Sequence, residues 1–295
     1  MDREKDIHRE LAAMEDSIRA RIRSGGLTTP IVRSFQKFLM LFYASFGRDL
    51  PWRRTTDPYR ILVSEFMLQQ TQVERVLTKY VEFLRCFPDI EGLARAPRHE
   101  VLIAWQGLGY NRRALALHET ARRVRDKFHG RIPLDRTFLE SFPGIGSATA
   151  GAILAFSTNR PEIFIETNIR RVYIHLFLPD AVKVLDREIE PILEKTLPKR
   201  NPREFYYALM DYGSILKKGA RNPNARSASY SRQSPFEGSD RQVRGMVLRH
   251  LLTGGGALEE ELRDLLPVEP GRLERILRGL ERDGFIERSG GRIRC

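Results

Sequence analysis

The chain has 295 residues, of which 41% are hydrophobic and 30% charged, so it can bury a large core, as two domains or as one domain with an appendage. Its 50 Lys and Arg against 38 Asp and Glu give a net charge of +12, which favours a polyanionic partner such as nucleic acid, although a solubilising or membrane-facing surface can give the same total. Its two cysteines, Cys86 and Cys295, are too few for a disulfide scaffold or a four-cysteine metal or iron–sulfur site, so we expect free thiols and no iron–sulfur cluster.

The chain begins with a charged helical pattern, MDREKDIHRELAAMEDSIRA, which predicts an N-terminal helix within residues 1–30. This pattern lacks the apolar core of a signal peptide, and no stretch of the sequence approaches 18 consecutive apolar residues. We therefore expect a soluble, intracellular protein with no membrane partner.

Residues 31–216 are predicted to form a helical domain. Apolar residues recur there at helical spacing, whereas strict alternation is short and scarce. Prolines and glycines divide the pattern into about ten short helices, which is typical of a globular helical domain and excludes a coiled coil.

The first candidate site residue, Glu65, lies near the end of an apolar helix predicted within residues 58–77. Bulky apolar neighbours and the negative end of the helix dipole should make its carboxyl group hold a proton more tightly than in water, as a general acid requires. The alternative is an ordinary glutamate on a helix surface. The adjacent amides of Gln69 and Gln70 weigh against that alternative, because such side chains can read base edges or fill the gap left by an extruded base.

A glycine-rich turn joins two predicted helices within residues 137–156, TFLESFPGIGSATAGAILAF. Its glycines let the backbone approach a partner, and the amides that begin the second helix suit a DNA phosphate, with a monovalent cation, Na+ or K+, as a candidate bridge at the Ile145 backbone. Taken alone, such a turn is more often a packing corner. The residues predicted to contact DNA are Pro143, Gly144, Ile145, Gly146 and Ser147.

About twenty residues further on, the segment IFIETNIRRV supplies a carboxylate at what looks like the start of a helix. Glu166 can be an N-terminal charge favoured by the helix dipole, or an ionised group that stabilises positive charge developing on a sugar. Asn168 and Arg170 are predicted DNA contacts. A hairpin followed at this spacing by an acid resembles the helix-hairpin-helix glycosylases.

Residues 217–244 form a basic segment without apolar periodicity, in which seven Lys and Arg accompany two acidic residues. This composition is typical of a disordered tether, but the aromatic residues Tyr230 and Phe236 make a DNA-tracking segment equally plausible. Lys217, Lys218 and Arg226 are the DNA contacts predicted within it.

Residues 245–295 are predicted to form a winged-helix-like domain, because helix, turn, helix and a short hairpin closed at 289–291 follow in that order. Arg272, Arg275 and Arg278 recur every three residues and can line a recognition helix in the major groove. They can equally be the solvated outer face of a packing helix.

Residues 51 to about 213 resemble the catalytic region of MutY-type adenine DNA glycosylases, in the endonuclease III or helix-hairpin-helix superfamily. The matching motifs, in the family's order and spacing, are PWR at 51–53, DPYRILVSEFMLQQTQVERV at 57–76, WQGLGYNRRA at 105–114, FPGIGSATAGAI at 142–153 and ALMDYGS at 208–214. The resemblance implies an all-α, two-lobed helix-hairpin-helix glycosylase fold. Its six-helix barrel lobe would cover about residues 57–165, and its second lobe would combine residues 31–56 and 166–216.

The same resemblance implies roles for single residues. Glu65 takes the position of the catalytic general acid, Tyr110 that of the aromatic wedge in the GLGY turn, and Glu166 that of the family's catalytic aspartate, one methylene longer. Ala148 stands where bifunctional relatives carry a Schiff-base lysine, so lyase activity is not expected.

Two larger departures from the family concern whole segments. The four cysteines of the family's iron–sulfur cluster are missing, and the basic segment 217–244 stands where that loop would be. The tail resembles a winged helix and not the Nudix-like domain with which adenine glycosylases recognise oxidised guanine.

These observations predict a monofunctional DNA glycosylase of base excision repair, which flips a base out of duplex DNA and excises it. The predicted target is adenine opposite guanine or 8-oxoguanine, and the predicted partner is double-stranded DNA with a mismatch or damaged base, bound by a monomer. One alternative is a glycosylase for thymine, uracil or a deaminated purine. The other is a non-catalytic DNA-damage-binding protein, against which Glu65 argues, because a carboxylate that repels phosphate is of no use to a pure binder.

Overall fold

Helices account for nearly all of the regular structure, as predicted for an all-α protein. The computed structural model of the chain describes residues 2–217, 222–231, 235–266 and 268–295. Up to residue 216 the α-helices are α1 (Asp2–Gly25), α2 (Thr29–Phe46), α3 (Pro58–Leu68), α4 (Val73–Cys86), α5 (Ile90–Arg95), α6 (Arg98–Trp105), α7 (Arg112–Phe128), α8 (Arg136–Glu140), α9 (Ser147–Thr158), α10 (Thr167–Phe177), α11 (Asp186–Thr196) and α12 (Pro202–Leu216). The C-terminal part contains α13 (Asp240–Gly254), β1 (Ala257–Leu258), α14 (Glu259–Leu265), α15 (Pro270–Arg282), β2 (Glu287–Ser289) and β3 (Arg292–Arg294). Short 3-10 helices cover Pro51–Arg53 and Pro223–Arg226.

The chain divides into two compact units. Unit 1 consists of Met1–Ile61, Leu134–Glu140 and Ile145–Ser231, and unit 2 consists of Leu62–Pro133, Ser141–Gly144 and Arg232–Cys295. The predicted barrel lobe, about residues 57–165, included α9, but α9 packs within unit 1, where the rings of Phe156 and Tyr207 lie 4.8 Å apart. The small residues that begin α9 allow this close packing, and nothing in the local sequence indicates which neighbours it packs against.

Unit 1 has an aromatic core that fixes α10, the helix that Glu166 precedes. Phe35 of α2 meets Tyr173 and Phe177 of α10 edge-on, with ring centroids 5.9 and 4.9 Å away, and Phe205 of α12 at 5.9 Å. All four rings are buried. Each such pair contributes about 0.5–1.5 kcal/mol beyond the burial of its area, so α10 is held firmly on its inner face.

A buried ion pair joins two of the sequence motifs in unit 1. Arg53, in the motif at 51–53, donates from both terminal nitrogens to the two oxygens of Asp211, in the motif at 208–214, at 2.8 Å each. Arg48 adds a third guanidinium contact to Asp211 at 2.7 Å. Burial alone would raise the pKa of Asp211, but the hydrogen bonds from Arg53 lower it below its usual value, so the carboxylate remains ionised.

The charged N-terminal helix predicted within residues 1–30 is present as α1 and is an integral part of unit 1. Leu11 and Ile18 of α1 are buried. Between them, Glu15 is hydrogen-bonded to His175 Nε2 at 2.5 Å and accepts from Tyr212 Oη at 2.6 Å. The helix is therefore anchored through both its apolar and its charged faces.

Part of the basic segment predicted at 217–244, residues 222–231, is folded against the rest of unit 1. Arg226 donates to the carbonyls of Leu178, Pro179 and Ala181 from one terminal nitrogen and to that of Ile174 from the other. The neighbouring backbone also bonds to Val184, which donates to Arg226 O at 2.7 Å. A free tether is therefore wrong for residues 222–231, because these long-range hydrogen bonds fix them.

Unit 2 combines the helices from α4 to α7 with the C-terminal residues. Trp105, at the end of α6, is fully buried and meets Phe83 of α4 edge-on at 5.9 Å. Ala114, Leu117 and Ala121 of α7 are completely buried. This spacing of three to four residues places them on the inner face of the helix.

The C-terminal part contains the predicted helix, turn, helix and hairpin as α14, α15, β2 and β3, and α13 and β1 precede them, so it begins at Asp240, five residues earlier than expected. Its sheet is antiparallel in the order β1-β3-β2, with Ala257 opposite Ile293, and Gly290 and Gly291 close the β2–β3 hairpin. Among the arginines of the predicted recognition face, Arg272 donates to Asp240 and to Gly238 O, and Arg278 pairs with Glu274 at 2.7 Å. Only Arg275 of the three lacks an ion pair among the residues that the structure describes.

None of the helices within the described ranges combines the length and the apolar character needed to cross a lipid bilayer.

Candidate active site

Glu65 stands in the last turn of α3, within unit 2. The residues on either side of it, from Ile61 to Met67, are all buried, whereas Glu65 itself is only half-buried. The burial of its neighbours fixes the backbone of this turn, so the Glu65 carboxyl is presented from a rigid support.

Arg113 of α7 ties the end of α3 to the GLGY turn, residues 107–110, which also lies within unit 2. One terminal nitrogen donates to the carbonyls of Phe66 and Met67 at 2.9 and 3.0 Å and to that of Gln69. The other donates to Gly109 O at 3.0 Å. The last carbonyls of a helix have no partner within it, so one guanidinium supplies the C-terminal cap that α3 needs. Burial lowers the pKa of Arg113 to about 10, which leaves it charged at neutral pH.

Gln69 connects the end of α3 to the first half of the glycine-rich turn. Its Nε2 donates to Gly144 O at 3.1 Å. Gly144 has φ +78, and a Cβ there would lie 2.9 Å from Phe66 Cε1 and 3.1 Å from Ala116 Cβ. Glycine is therefore required at 144 by both conformation and packing, while the preceding Pro143 accepts from Thr120 through its carbonyl at 3.4 Å. Gln70, next to Gln69, is exposed at φ +53.

Tyr110 lies in the GLGY turn with its side chain 36% exposed. Its φ is +48, a conformation that is uncommon for residues other than glycine. The ring is one of the large apolar groups left at the surface of unit 2, as a side chain that inserts into a base stack must be.

The second half of the turn begins α9, in unit 1. Gly146 has φ −96, and a Cβ there would meet nothing within 4 Å, so neither conformation nor internal packing requires glycine. The open space leaves the first amides of α9 accessible to a close partner, as a phosphate site at a helix N-terminus requires. Ile145 is buried, and Ser147 accepts from Arg136 Nη1 at its Oγ at 3.2 Å.

Glu166 caps the N-terminus of α10, in unit 1. Its Oε1 accepts from the backbone amides of Asn168 and Ile169 at 2.7 and 2.8 Å, and its Oε2 accepts from Asn168 Nδ2 at 3.2 Å. Burial raises the pKa of Glu166 above its usual value, although the two amides and the charges of Arg171 and Arg170 oppose that rise. Glu166 is therefore the N-cap of α10, and these hydrogen bonds fix the orientation of its two carboxyl oxygens.

A network of amides braces the loop that carries Glu166. Asn224, which is almost fully buried, donates from Nδ2 to Thr167 O at 2.8 Å. Arg171 donates to Asn168 Oδ1 at 2.6 Å and to Asn222 Oδ1 at 3.0 Å. The folded segment 222–231 therefore reaches Glu166 through a chain of hydrogen bonds that passes through Arg171 and Asn168, and it also holds the carbonyl of the next residue, Thr167.

The other predicted DNA contacts of unit 1 occupy different environments. Arg170 forms a bidentate pair with Asp186 at 2.6 and 2.7 Å. Lys217 is exposed at the end of α12. The guanidinium of Arg226 donates to the backbone carbonyls described above. Lys218 lies outside the described residues.

Within unit 2, Arg113 ties Gln69 and the end of the helix that carries Glu65 to the Tyr110 turn, and within unit 1 hydrogen bonds link Glu166 and Asn168 to the segment 222–231. Sequence reasoning missed Arg113 and the asparagines Asn222 and Asn224. The motif WQGLGYNRRA contains Arg113, but its letters do not distinguish a buried arginine from the exposed Arg112 beside it. The asparagines carry a weak local signal, because Asn before proline favours a turn.

No group of three or more His, Cys, Asp or Glu side chains suited to a metal ion occurs among the residues that the structure describes. Both cysteines are free thiols, as predicted. Two thiols cannot supply the four ligands of an iron–sulfur cluster, and the bonds of Arg226 and Asn224 hold the segment after α12.

Known proteins resemble the chain over the region that contains these candidate site residues. The family model described as HhH-GPD superfamily base excision DNA repair protein matches residues 63–199. An adenine DNA glycosylase of Mycobacterium tuberculosis is 33% identical over 273 residues, which cover 85% of this chain and 90% of that protein. An adenine DNA glycosylase of Buchnera aphidicola is 37% identical over 187 residues, or 62% of this chain, and the match spans about half, 52%, of its length. The solved structure of a thermostable thymine-DNA glycosylase matches with a TM-score of 0.57 and 25% identity, over 66% of this chain and 91% of that one.

The chain belongs to the HhH-GPD superfamily of base excision DNA repair proteins, among its MutY-like DNA glycosylases. It is a DNA N-glycosylase and DNA is its partner, as the sequence predicted.

Proposed function

We propose that this enzyme is a monomeric, monofunctional glycosylase that excises adenine paired with guanine or 8-oxoguanine. The name adenine DNA glycosylase, carried by a relative that aligns over 90% of its own length, supports the choice of base. The observation that carries the chemistry is the fixed orientation of the Glu166 carboxylate at the start of α10.

The reaction breaks the bond between C1′ of the deoxyribose and the adenine ring. Adenine leaves with the bonding electron pair, so a proton must reach a ring nitrogen, and Glu65 is its donor. The sugar becomes an oxocarbenium-like cation, which the ionised Glu166 stabilises before water adds to C1′ and loses a proton to solvent, from which Glu65 is protonated again. Glu166 Oε1 accepts both helix amides, whereas Oε2 accepts the longer bond from Asn168 Nδ2 at 3.2 Å, so Oε2 is the oxygen that would face the sugar.

The remaining predicted residues hold the DNA strand. The open amides after Gly146 bind a phosphate, with a monovalent cation bridged by the Ile145 backbone as a candidate addition. Tyr110, Gln69 and Gln70 act where the base leaves the stack. Ala148 offers no amine in the second position of α9, so no Schiff base forms there and lyase activity is absent.

A panel of duplexes tests the proposed base under single-turnover conditions. Adenine opposite guanine and 8-oxoguanine is compared with thymine and uracil opposite guanine and with hypoxanthine opposite thymine, and the released base is measured directly. We expect the fastest release for adenine, and borohydride should trap no covalent adduct. Slower release of adenine than of thymine or uracil would contradict the proposal.

A thymine or uracil glycosylase is the second candidate. It is favoured by the solved thymine-DNA glycosylase structure, which matches over 91% of its own length at 25% identity. Tight binding to the duplexes without release of any base would instead identify a damage-binding protein.

A further inference from the structure

The C-terminal domain, residues 240–295, contacts the GLGY turn directly. Arg241, in the first turn of α13, donates from Nη1 to Tyr110 Oη at 2.8 Å, and its guanidinium carbon lies 5.9 Å from the ring centroid. The guanidinium carbon of Arg113 lies 5.4 Å from the same centroid. Two cationic groups, from α7 and from α13, therefore approach one aromatic ring within unit 2.

A second set of contacts fixes the C-terminal domain beside this turn. Asp283, which follows α15, accepts from Arg112 at 2.5 and 3.2 Å and from Arg244 of α13 at 2.6 Å. Arg98 donates to Gly284 O at 2.7 Å. Burial alone would raise the pKa of Asp283, but the bonds from Arg112 and Arg244 lower it, so this junction is charged at neutral pH. Arg112 is only two residues from Tyr110.

The turn needs such support because of its backbone. Tyr110 adopts φ +48, a conformation that non-glycine residues keep only when their surroundings enforce it. Arg113 fixes the backbone of the turn through the carbonyls of Leu108 and Gly109, and its guanidinium lies over the Tyr110 ring. Arg241 bonds to the phenol oxygen itself.

We propose that the C-terminal domain buttresses the strand-separating turn, and that Arg241 is a positioning residue that holds the Tyr110 ring in the orientation in which it enters the duplex. This inference rests on the proposed role of Tyr110 as a wedge. An inserted side chain must offset the free energy of unstacking a base step. A ring that is free to rotate loses rotational entropy when it inserts, whereas a ring already held in the right orientation does not. Arg241 therefore governs base opening and not bond cleavage.

Four variants of the full chain test the proposal: Arg241→Ala, Tyr110→Phe, the double variant, and Arg249→Ala as the control. Arg249 lies on the same helix, is exposed, and its loss changes the net charge equally. Tyr110→Phe keeps the ring and removes only the hydroxyl that Arg241 contacts. A 2-aminopurine placed next to an adenine–8-oxoguanine mismatch reports unstacking by its fluorescence, whether or not a base is later cut.

We expect Arg241→Ala and Tyr110→Phe to slow the fluorescence rise by about fivefold to tenfold each, the effect of losing one charge-assisted hydrogen bond in a partly exposed setting. The double variant should be no slower than either single variant, because both remove the same interaction. Arg249→Ala should match the wild type, and the melting temperatures of all four should agree closely.

Excision from a pre-opened duplex separates positioning from general damage to the fold. With mismatches on both sides of the target, Arg241→Ala should excise at nearly the wild-type rate. An equal defect on the pre-opened duplex, additive effects in the double variant, or an Arg241→Ala protein that unstacks DNA as fast as the control would each overturn the inference. A wild-type protein that produces no fluorescence rise would do the same. Normal unstacking without excision would overturn only the roles proposed for the two acids.

Discussion

Glu65 and Glu166 are held by different means. Glu65 projects from a helical turn whose other residues, Ile61 to Met67, are buried, so packing supports it. Glu166 is fixed by the amides of Asn168 and Ile169. The two amides favour the charged form of Glu166 and oppose the rise in its pKa that burial causes.

Replacing Glu65, the proposed general acid, should separate catalysis from binding. Glu65→Gln removes the transferable proton and keeps the shape, so the single-turnover rate of adenine release should fall by about 100-fold or more. The affinity for the same duplex, measured by fluorescence anisotropy, should change little, because no phosphate contact is lost. Glu74→Gln, an exposed position on α4, is the control. A wild-type rate for Glu65→Gln would remove it from the mechanism.

The ionisation of Glu166 should be visible in the pH profile. Only its charged form stabilises the sugar cation, so the excision rate falls as the pH drops through its pKa, and burial places that fall at a higher pH than for an ordinary glutamate. Glu166→Gln should lower the rate by about 100-fold to 1,000-fold and remove this acidic limb. A variant that keeps the limb would show that another group titrates.

At the scale of elements, the segment 222–231 braces the start of α10. Asn224 acts as a donor to Thr167 O, whereas Asn222 acts as an acceptor from Arg171. Asn224 therefore acts through its amide nitrogen, and Asn222 acts through its amide oxygen.

Aspartate substitutions distinguish these two roles. Asn224→Asp replaces the donor with a second acceptor against Thr167 O, so the Glu166 loop should shift and the excision rate fall by about tenfold, which corresponds to the loss of one hydrogen bond. Asn222→Asp keeps the acceptor and should retain nearly the full rate. Single-turnover assays and melting temperatures provide the comparison, and equal losses in both variants would argue against a specific brace.

Local sequence patterns were sufficient to predict the helices and the candidate site residues at their ends, but they did not predict the long-range polar contacts. Apolar spacing, prolines and glycines predicted the helical body, the turn before α9 and the position of Glu166 at a helix start. The fold of residues 222–231 could not be predicted, because Arg226 bonds to carbonyls more than forty residues away and the segment buries little apolar side chain. Arg113 was missed for the same reason, since its partners are backbone groups that sequence does not distinguish.

At the scale of the whole molecule, the net charge of +12 overstates how many cations can meet DNA. Arg170 is paired with Asp186, and Arg226 is occupied by backbone carbonyls. Exposed lysines such as Lys217 are better placed to contact phosphates.

Salt dependence measures such contacts directly. If Lys217 contacts one phosphate, Lys217→Ala should reduce the slope of log affinity against log salt concentration by about 0.9. The control Lys199→Ala, exposed elsewhere in unit 1, should leave the slope unchanged. Equal slopes for the wild type and both variants would mean that Lys217 does not touch the strand.

A crystal structure of the enzyme with a duplex that carries a cationic abasic-sugar analogue opposite 8-oxoguanine would test the proposed chemistry most directly. The account predicts Glu166 Oε2 within hydrogen-bond distance of the analogue's charged nitrogen, the Glu65 carboxyl facing the space of the departed base, and the amides after Gly146 on a phosphate of the same strand. An analogue bound with either carboxyl turned away from it would contradict the account.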